Sequence, residues 1–195
     1  LSSPIYIQSS VGWRQEHNGY SHQNPGFVSN VLEKHGEFSQ IFYPADANSF
    51  IVALEESFKR KNGINVIVAD KRNLPQWLSL DEARKQAKTG IGVWDWATSV
   101  SSAKNPDVVL ASCGDYMTVE AMMAIKICKE MVPEMKIRYV NVSEISGVCV
   151  GDFCNMYSPK QLSIEEFNKY FTKDKPVVFN YHGYINDVEQ IFWRF

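Results

Sequence analysis

Two of the four histidines, His17 and His22, share one polar run from Trp13 to Gly26 that also carries Arg14, Gln15, Glu16, Asn18, Gln23 and Asn24. An imidazole titrates near neutral pH, so it suits proton transfer to and from hydroxyl and carbonyl oxygens. Gly19, Pro25 and Gly26 mark the run as loop, where binding and catalytic groups concentrate. Composition alone leaves two readings open: an active-site loop, or a loop whose histidines are incidental or held in the core. His35, beside Glu33, Lys34 and Glu37, reads as a solvated side chain, and His182, in Tyr181-His182-Gly183 at a strand end, is intermediate.

A second place with chemical potential is Gly114-Asp115, between a strand-like and a helix-like run. Glycine there lets the backbone approach a ligand, and a helix start offers N–H groups to an anion. The negative Asp115 opposes a phosphate, so a tight turn with Asp115 near the helix cap is the simpler reading. Cys113, Cys128, Cys149 and Cys154 contain no C-x-x-C pair, and Cys149/Cys154 lack a second Cys/His pair to complete a zinc site. They read as reduced thiols, with no metal expected.

The elements that must position these groups alternate between strand and helix. Phe38–Tyr43 is a strand ended by Pro44, and Asp46 caps a helix whose apolar face takes Phe50, Ile51, Leu54 and Phe58. Asn65–Ala69 is an apolar run of the kind buried in a parallel sheet. From Arg72 to Pro106 the pattern is less regular, with a capping box at Ser79 and Glu82 and a strand-like Gly90–Trp96; it reads as a connection. A second unit follows. Asp107–Ser112, Ile137–Val142 and Pro176–Tyr181 are strands, and helices run over 118–132, from a capping box at Ser163 and Glu166 to Phe171, and over 185–195. Val119, Met122, Met123, Ile125 and Ile127 place apolar residues on several faces of helix 118–132, which predicts a core helix. This order implies an α/β fold of two parallel-sheet units with right-handed crossovers.

The chain has 195 residues, 45% of them hydrophobic, enough for a globular core. Its 20 Lys+Arg against 22 Asp+Glu give a net charge of −2, which argues against a nucleic-acid binder. No apolar run reaches the roughly 18 residues of a membrane span, so no membrane partner is expected. The start has no initiator Met and no signal-like pattern, consistent with a piece of a longer, cytoplasmic protein.

The run Trp13–Phe27 (WRQEHNGYSHQNPGF) resembles the signature of phosphoketolases. Further matches follow in the family's order: Tyr43–Asn48, Asn65–Ala69, Lys71 with Pro75–Leu78, Thr89–Gly92 with Trp94, Asn105–Val109, Gly114-Asp115, Val140–Val142, and Phe179 with His182–Tyr184. The series covers nearly the whole chain, although little matches between Glu144 and Ser163. The resemblance implies three segments: 1–72, the end of a pyrimidine-binding domain; 73–105, a connection; and 106–195, a truncated three-layer domain like the transketolase C-terminal domain.

It further implies an enzyme that uses thiamine diphosphate with Mg²⁺ or Ca²⁺ to convert xylulose 5-phosphate or fructose 6-phosphate, plus inorganic phosphate, into acetyl phosphate and an aldose phosphate. His17 and His22, oriented by Asn18, match the family residues for proton transfer, with acid and base roles undivided. Lys71 matches a lysine that pairs with substrate phosphate. The diphosphate-binding domain, the metal site and the activating glutamate are absent, so no cofactor-binding residue is assigned here and the fragment alone is expected to be inactive. The whole enzyme is expected to be a homodimer or higher homo-oligomer. The rival readings are a structural, dimerising module and a regulatory small-molecule module built on the Gly114 turn.

Overall fold

Two parallel sheets meet along a seam in the computed structural model, which describes residues 2–10, 26–34, 38–99, 105–148, 150, 160 and 162–192. The first contains β1 (Ile5–Ser9), β2 (Ser39–Phe42) and β3 (Ile64–Ala69) in the order β1-β3-β2, all parallel. The central β3 carries the run Ile-Asn-Val-Ile-Val-Ala; Val66 and Ile67 point to opposite faces and both are fully buried, as a strand covered on two sides requires. β1 escapes the sequence reading because it is short and lies at an edge, with Tyr6 and Ile7 exposed. Helices α1 (Gly26–Leu32) and α2 (Ala47–Lys59) belong to this unit.

The second sheet has the order β4-β6-β5-β7, from β4 (Ile91–Val93), β5 (Val108–Cys113), β6 (Ile137–Val142) and β7 (Val177–Tyr181). β5, β6 and β7 run parallel, whereas β4 pairs antiparallel with β6. Segment 73–105, read as a connection, therefore supplies an edge strand to this sheet. Gly90, at φ +74°, accepts the N–H groups of Ser143 and Glu144 on its carbonyl oxygen and turns the chain into that pairing. The remaining helices are α3 (Leu80–Ala87), α4 (Asp115–Met131), α5 (Ile164–Phe171) and α6 (Ile185–Phe192).

Local chemistry sets the helix starts as the sequence indicates. Asp46 and Ser49 cap α2 reciprocally, as do Ser79 and Glu82 for α3 and Ser163 and Glu166 for α5. The faces are another matter. α2 buries Ser49, Val52, Ala53 and Ser57, while Phe58 is 75% exposed and Ile51 45%. Phe50 and Leu54 only flank a small cluster of Phe42, Ala53 and Ile67. A close helix–sheet contact selects small side chains, so the bulkier residues are turned outward.

α4 departs from the expected core helix in the same way. It buries Tyr116, Thr118, Ala121 and Ile125, whereas Met123, Ile127 and Met131 form a stripe at helical spacing exposed by 50%, 48% and 75%. Met123→Asp is therefore expected to change stability by no more than about 0.5 kcal/mol, the range of ordinary surface substitutions. A thermal melt of the chain checks this; a large drop in Tm would put Met123 in a covered face.

A buried polar network locks the second unit. Gln86 donates from Nε2 to Asn141 Oδ1 (2.7 Å) and accepts from Trp94 Nε1 (2.8 Å), while Asn141 donates to Thr118 Oγ1 (3.1 Å). Such a network is worth its desolvation only when satisfied. Across the seam Tyr43 N–H donates to Ser143 O (2.8 Å) and Ile41 N–H to Ser146 Oγ (3.1 Å). Glu144, 1% exposed, accepts from Gln40 of β2 and pairs with Lys160 Nζ at 2.5 Å; Lys160 also donates to Ala87 O. The two sheets therefore hold each other in a fixed relation.

Candidate functional site

Ligands of parallel α/β sheets bind beyond the carboxyl ends of the strands. Here those ends converge: Ser10 after β1, Tyr43 after β2, Asp70 after β3, Gly114 after β5 and His182 after β7. Ser10 N–H donates to Ala69 O (3.1 Å), which holds the end of β1 beside that of β3. His17, Asn18 and His22 themselves lie outside the described residues. Lys71 stands two residues past β3, exposed, its N–H donating to Asp70 Oδ1 at 2.7 Å.

A short chain of contacts builds the rest. Gly114 takes φ +99°, and a Cβ there would lie 3.3 Å from the Tyr43 ring, so glycine is needed for both conformation and space. The turn aims Asp115, 5% exposed, back across the seam: Oδ2 accepts from Asp70 N–H at 2.6 Å and Oδ1 from Tyr116 N–H at 2.7 Å. Burial pushes the Asp115 carboxyl above its ordinary value; the Ser10 side chain and the backbone donors of Tyr116 and Asp70 oppose the shift, and the neighbouring Asp70 charge adds to it. One N-terminal N–H of α4, that of Tyr116, is thus occupied by the protein's own carboxylate.

Next to it, Tyr181 donates to Asp187 Oδ2 (2.8 Å), so the 2.9 Å contact between the two phenols is a donation from Tyr43 to Tyr181. The rings meet edge to face at 5.5 Å. Burial raises both phenols far above the usual tyrosine value, so both keep their protons and the relay has one direction. It ends at Asp187, which is fully buried.

Two concavities adjoin the junction. One of about 200 Å³ is lined by Pro44, Asp46, Asp70, Arg72, Asn73 and Asp115. A void of about 10 Å³ lies among Ser10, Tyr43, Gly114, Asp115, Tyr116 and His182. Asp46 is committed to structure, its Oδ2 accepting from Gln76 Nε2 and the N–H groups of Trp77 and Leu78. The lining groups left to meet a ligand are the cation Arg72, Asn73 and the acceptor Asp70, with the exposed Lys71 between Asp70 and Arg72 in the chain. That set suits a hydroxylated anion. A larger groove of about 570 Å³ between α5, β7 and α6 is walled by Phe167, Phe171, Phe179 and Phe192, with Asn168, Lys173 and Lys175 also in its lining, and lies away from the strand-end junction. Among the described residues no group of three or more His, Cys, Asp and Glu could hold a metal ion.

Of the residues singled out in the sequence, the structure puts Lys71, Gly114, Asp115 and His182 at one junction. Asp70, Tyr43, Tyr181 and Asp187 carry no local signal, because only the packing of the two sheets brings them together.

The chain matches the family model "D-xylulose 5-phosphate/D-fructose 6-phosphate phosphoketolase" over residues 1–60 and the "XFP C-terminal domain" over residues 71–195. It is 39% identical over 194 residues to a probable phosphoketolase 1 of Rhizobium meliloti, covering all of this chain and 24% of that protein. A probable phosphoketolase of Synechococcus elongatus is 42% identical with the same coverage. The chain thus spans about a quarter of the length of the curated relatives it matches. Transketolase from Leishmania mexicana superposes with a TM-score of 0.64 at 17% identity, over 90% of this chain and 22% of that one, a likeness of fold. A split gene transketolase, described as an inactive beta4 tetramer, matches with a TM-score of 0.50 at 20% identity, over 71% of this chain and 39% of that one. On its motifs, fold and family-model matches, the chain belongs to the phosphoketolase family.

Proposed function

We propose that this chain is the part of a thiamine-diphosphate-dependent phosphoketolase that contributes sugar-phosphate contacts and proton-transfer groups. The whole polypeptide splits xylulose 5-phosphate or fructose 6-phosphate with inorganic phosphate to give acetyl phosphate, an aldose phosphate and water, a carbon–carbon lyase reaction. The observation that carries the reading is the pair of family models, which match residues 1–60 and 71–195 of this chain.

The described residues do not fit the cofactor's own anchor. The junction cavity has one lining cation, Arg72, beside Asp46, Asp70 and Asp115, and among the described residues no cluster could hold Mg²⁺ or Ca²⁺ for a diphosphate. Cofactor anchoring is assigned to the remainder of the enzyme. What this chain does is bind and move protons. Lys71 supplies a point charge for substrate phosphate. His17 and His22 hold and transfer protons at the hydroxyl and carbonyl oxygens of the sugar, and Asn18 orients them by hydrogen bonding.

Alone, the chain is inactive in this reading, and it works within a homo-oligomeric cytoplasmic enzyme. Exposed apolar side chains, Ile7 at 60%, Phe58 at 75%, Met131 at 75% and Ile185 at 70%, favour burial against further polypeptide. The fold neighbour described as an inactive assembly of one split-gene chain is a parallel. The test is calorimetric titration of the chain with thiamine diphosphate and Mg²⁺, beside an acetyl phosphate assay on chain and full-length enzyme. Silence from the chain and product from the full-length enzyme is expected. Micromolar cofactor binding by the chain would overturn the assignment of the anchor to the rest of the enzyme.

A further inference from the structure

Asp115 is a costly residue: a carboxylate 5% exposed and bonded to no cation among the described residues. What it holds is backbone. A side chain serving only α4 would give both oxygens to that helix, yet Oδ2 reaches across the seam to Asp70 N–H at 2.6 Å, the shorter of its two bonds. Asp70 Oδ1 in turn accepts Lys71 N–H at 2.7 Å. Two carboxylates in series therefore order the peptides on either side of Asp70.

The direction of Asp115 is itself enforced. Gly114 at φ +99° turns the chain out of β5, and the Tyr43 ring stands 3.3 Å from where a Cβ would project. Tyr43 is in turn held by Tyr181 and Asp187. The exposed Lys71 side chain has many rotamers, so the part of its placement the fold can set is its backbone. We infer that Asp115 is a positioning residue for Lys71, holding the Asp70-Lys71 turn so that the ammonium group meets the phosphate of the sugar substrate. This rests on the reading of Lys71 as the phosphate contact.

Steady-state kinetics on the full-length enzyme with xylulose 5-phosphate test it, using Asp115→Ala, Lys71→Ala and the double variant. Lys71→Ala is expected to raise KM about tenfold or more, and Asp115→Ala about tenfold with a smaller change in kcat, the weight of one charge-assisted hydrogen bond. The double variant is expected to match Lys71→Ala alone, because the two act on one contact. If alanine prevents folding, Asp115→Asn, which keeps one acceptor, carries the same comparison. An unchanged KM with a lowered Tm, or two effects that multiply in the double variant, would overturn the inference. An unchanged KM in Lys71→Ala would instead sink the phosphate role of Lys71. Amide hydrogen exchange at Asp70 and Lys71 then decides the turn itself: faster exchange in the Asp115 variant supports the positioning, and equal exchange refutes it.

Discussion

In the full-length enzyme, His17→Ala and His22→Ala are each expected to lower the turnover of acetyl phosphate formation by about 10²-fold or more, the usual contribution of a positioned proton-transfer group. The expectation follows from the family motif Trp13–Phe27. Neither substitution is expected to unfold the protein, since both histidines belong to a polar, glycine- and proline-marked run. Cofactor affinity should change less than turnover, because the described residues offer no anchor for the diphosphate. A variant that kept near-normal product formation while its Tm fell would mark that histidine as a packing residue.

Lys160→Ala is expected to destabilise the chain by about 3–5 kcal/mol, the cost of leaving one partner of a buried ion pair uncompensated. The side chains of Lys160 and Glu144 are 13% and 1% exposed and in contact at 2.5 Å, so solvent screens the pair little. The remaining hydrogen-bond partners of Glu144, Gln40 at 3.3 Å and Ser146 at 3.2 Å, are neutral donors, and the Arg60 charge acts on it only through space. Because Gln40 lies on β2 and Glu144 follows β6, the loss should loosen the seam between the sheets. Urea unfolding of the chain measures it. Restoring much of the stability with Glu144→Gln on the Lys160→Ala background would show that the unpaired charge is the cost; an unchanged midpoint would show the pair to be solvated.

These two results bear on different kinds of information. The run 13–26 was legible as a candidate site because imidazoles among amides and a guanidinium group, bounded by Gly19, Pro25 and Gly26, leave a local trace, and the ordered series of motifs made the family legible. Helix starts were legible for the same reason, since Asp46, Ser79 and Ser163 satisfy N–H groups only three residues away. The two α/β units followed from apolar runs such as Val66–Val68 and Val108–Leu110, whose length and flanking turns suit buried parallel strands.

Which face of a helix is buried is a property of what it packs against. Met123 and Phe58 are as hydrophobic as any core residue, but α4 and α2 meet their neighbours through Ala121, Ile125, Val52 and Ala53. The strand-like run 90–96 showed in the sequence, but not where it belongs: β4 joins the second sheet by antiparallel pairing with β6, some fifty positions away. The junction was decided in the same manner. The sequence determined the residue types, the turns and the family; only the tertiary structure decided that Asp115 of the second unit ties down Asp70 of the first, because that hydrogen bond joins positions 45 residues apart, where no local pattern can record it.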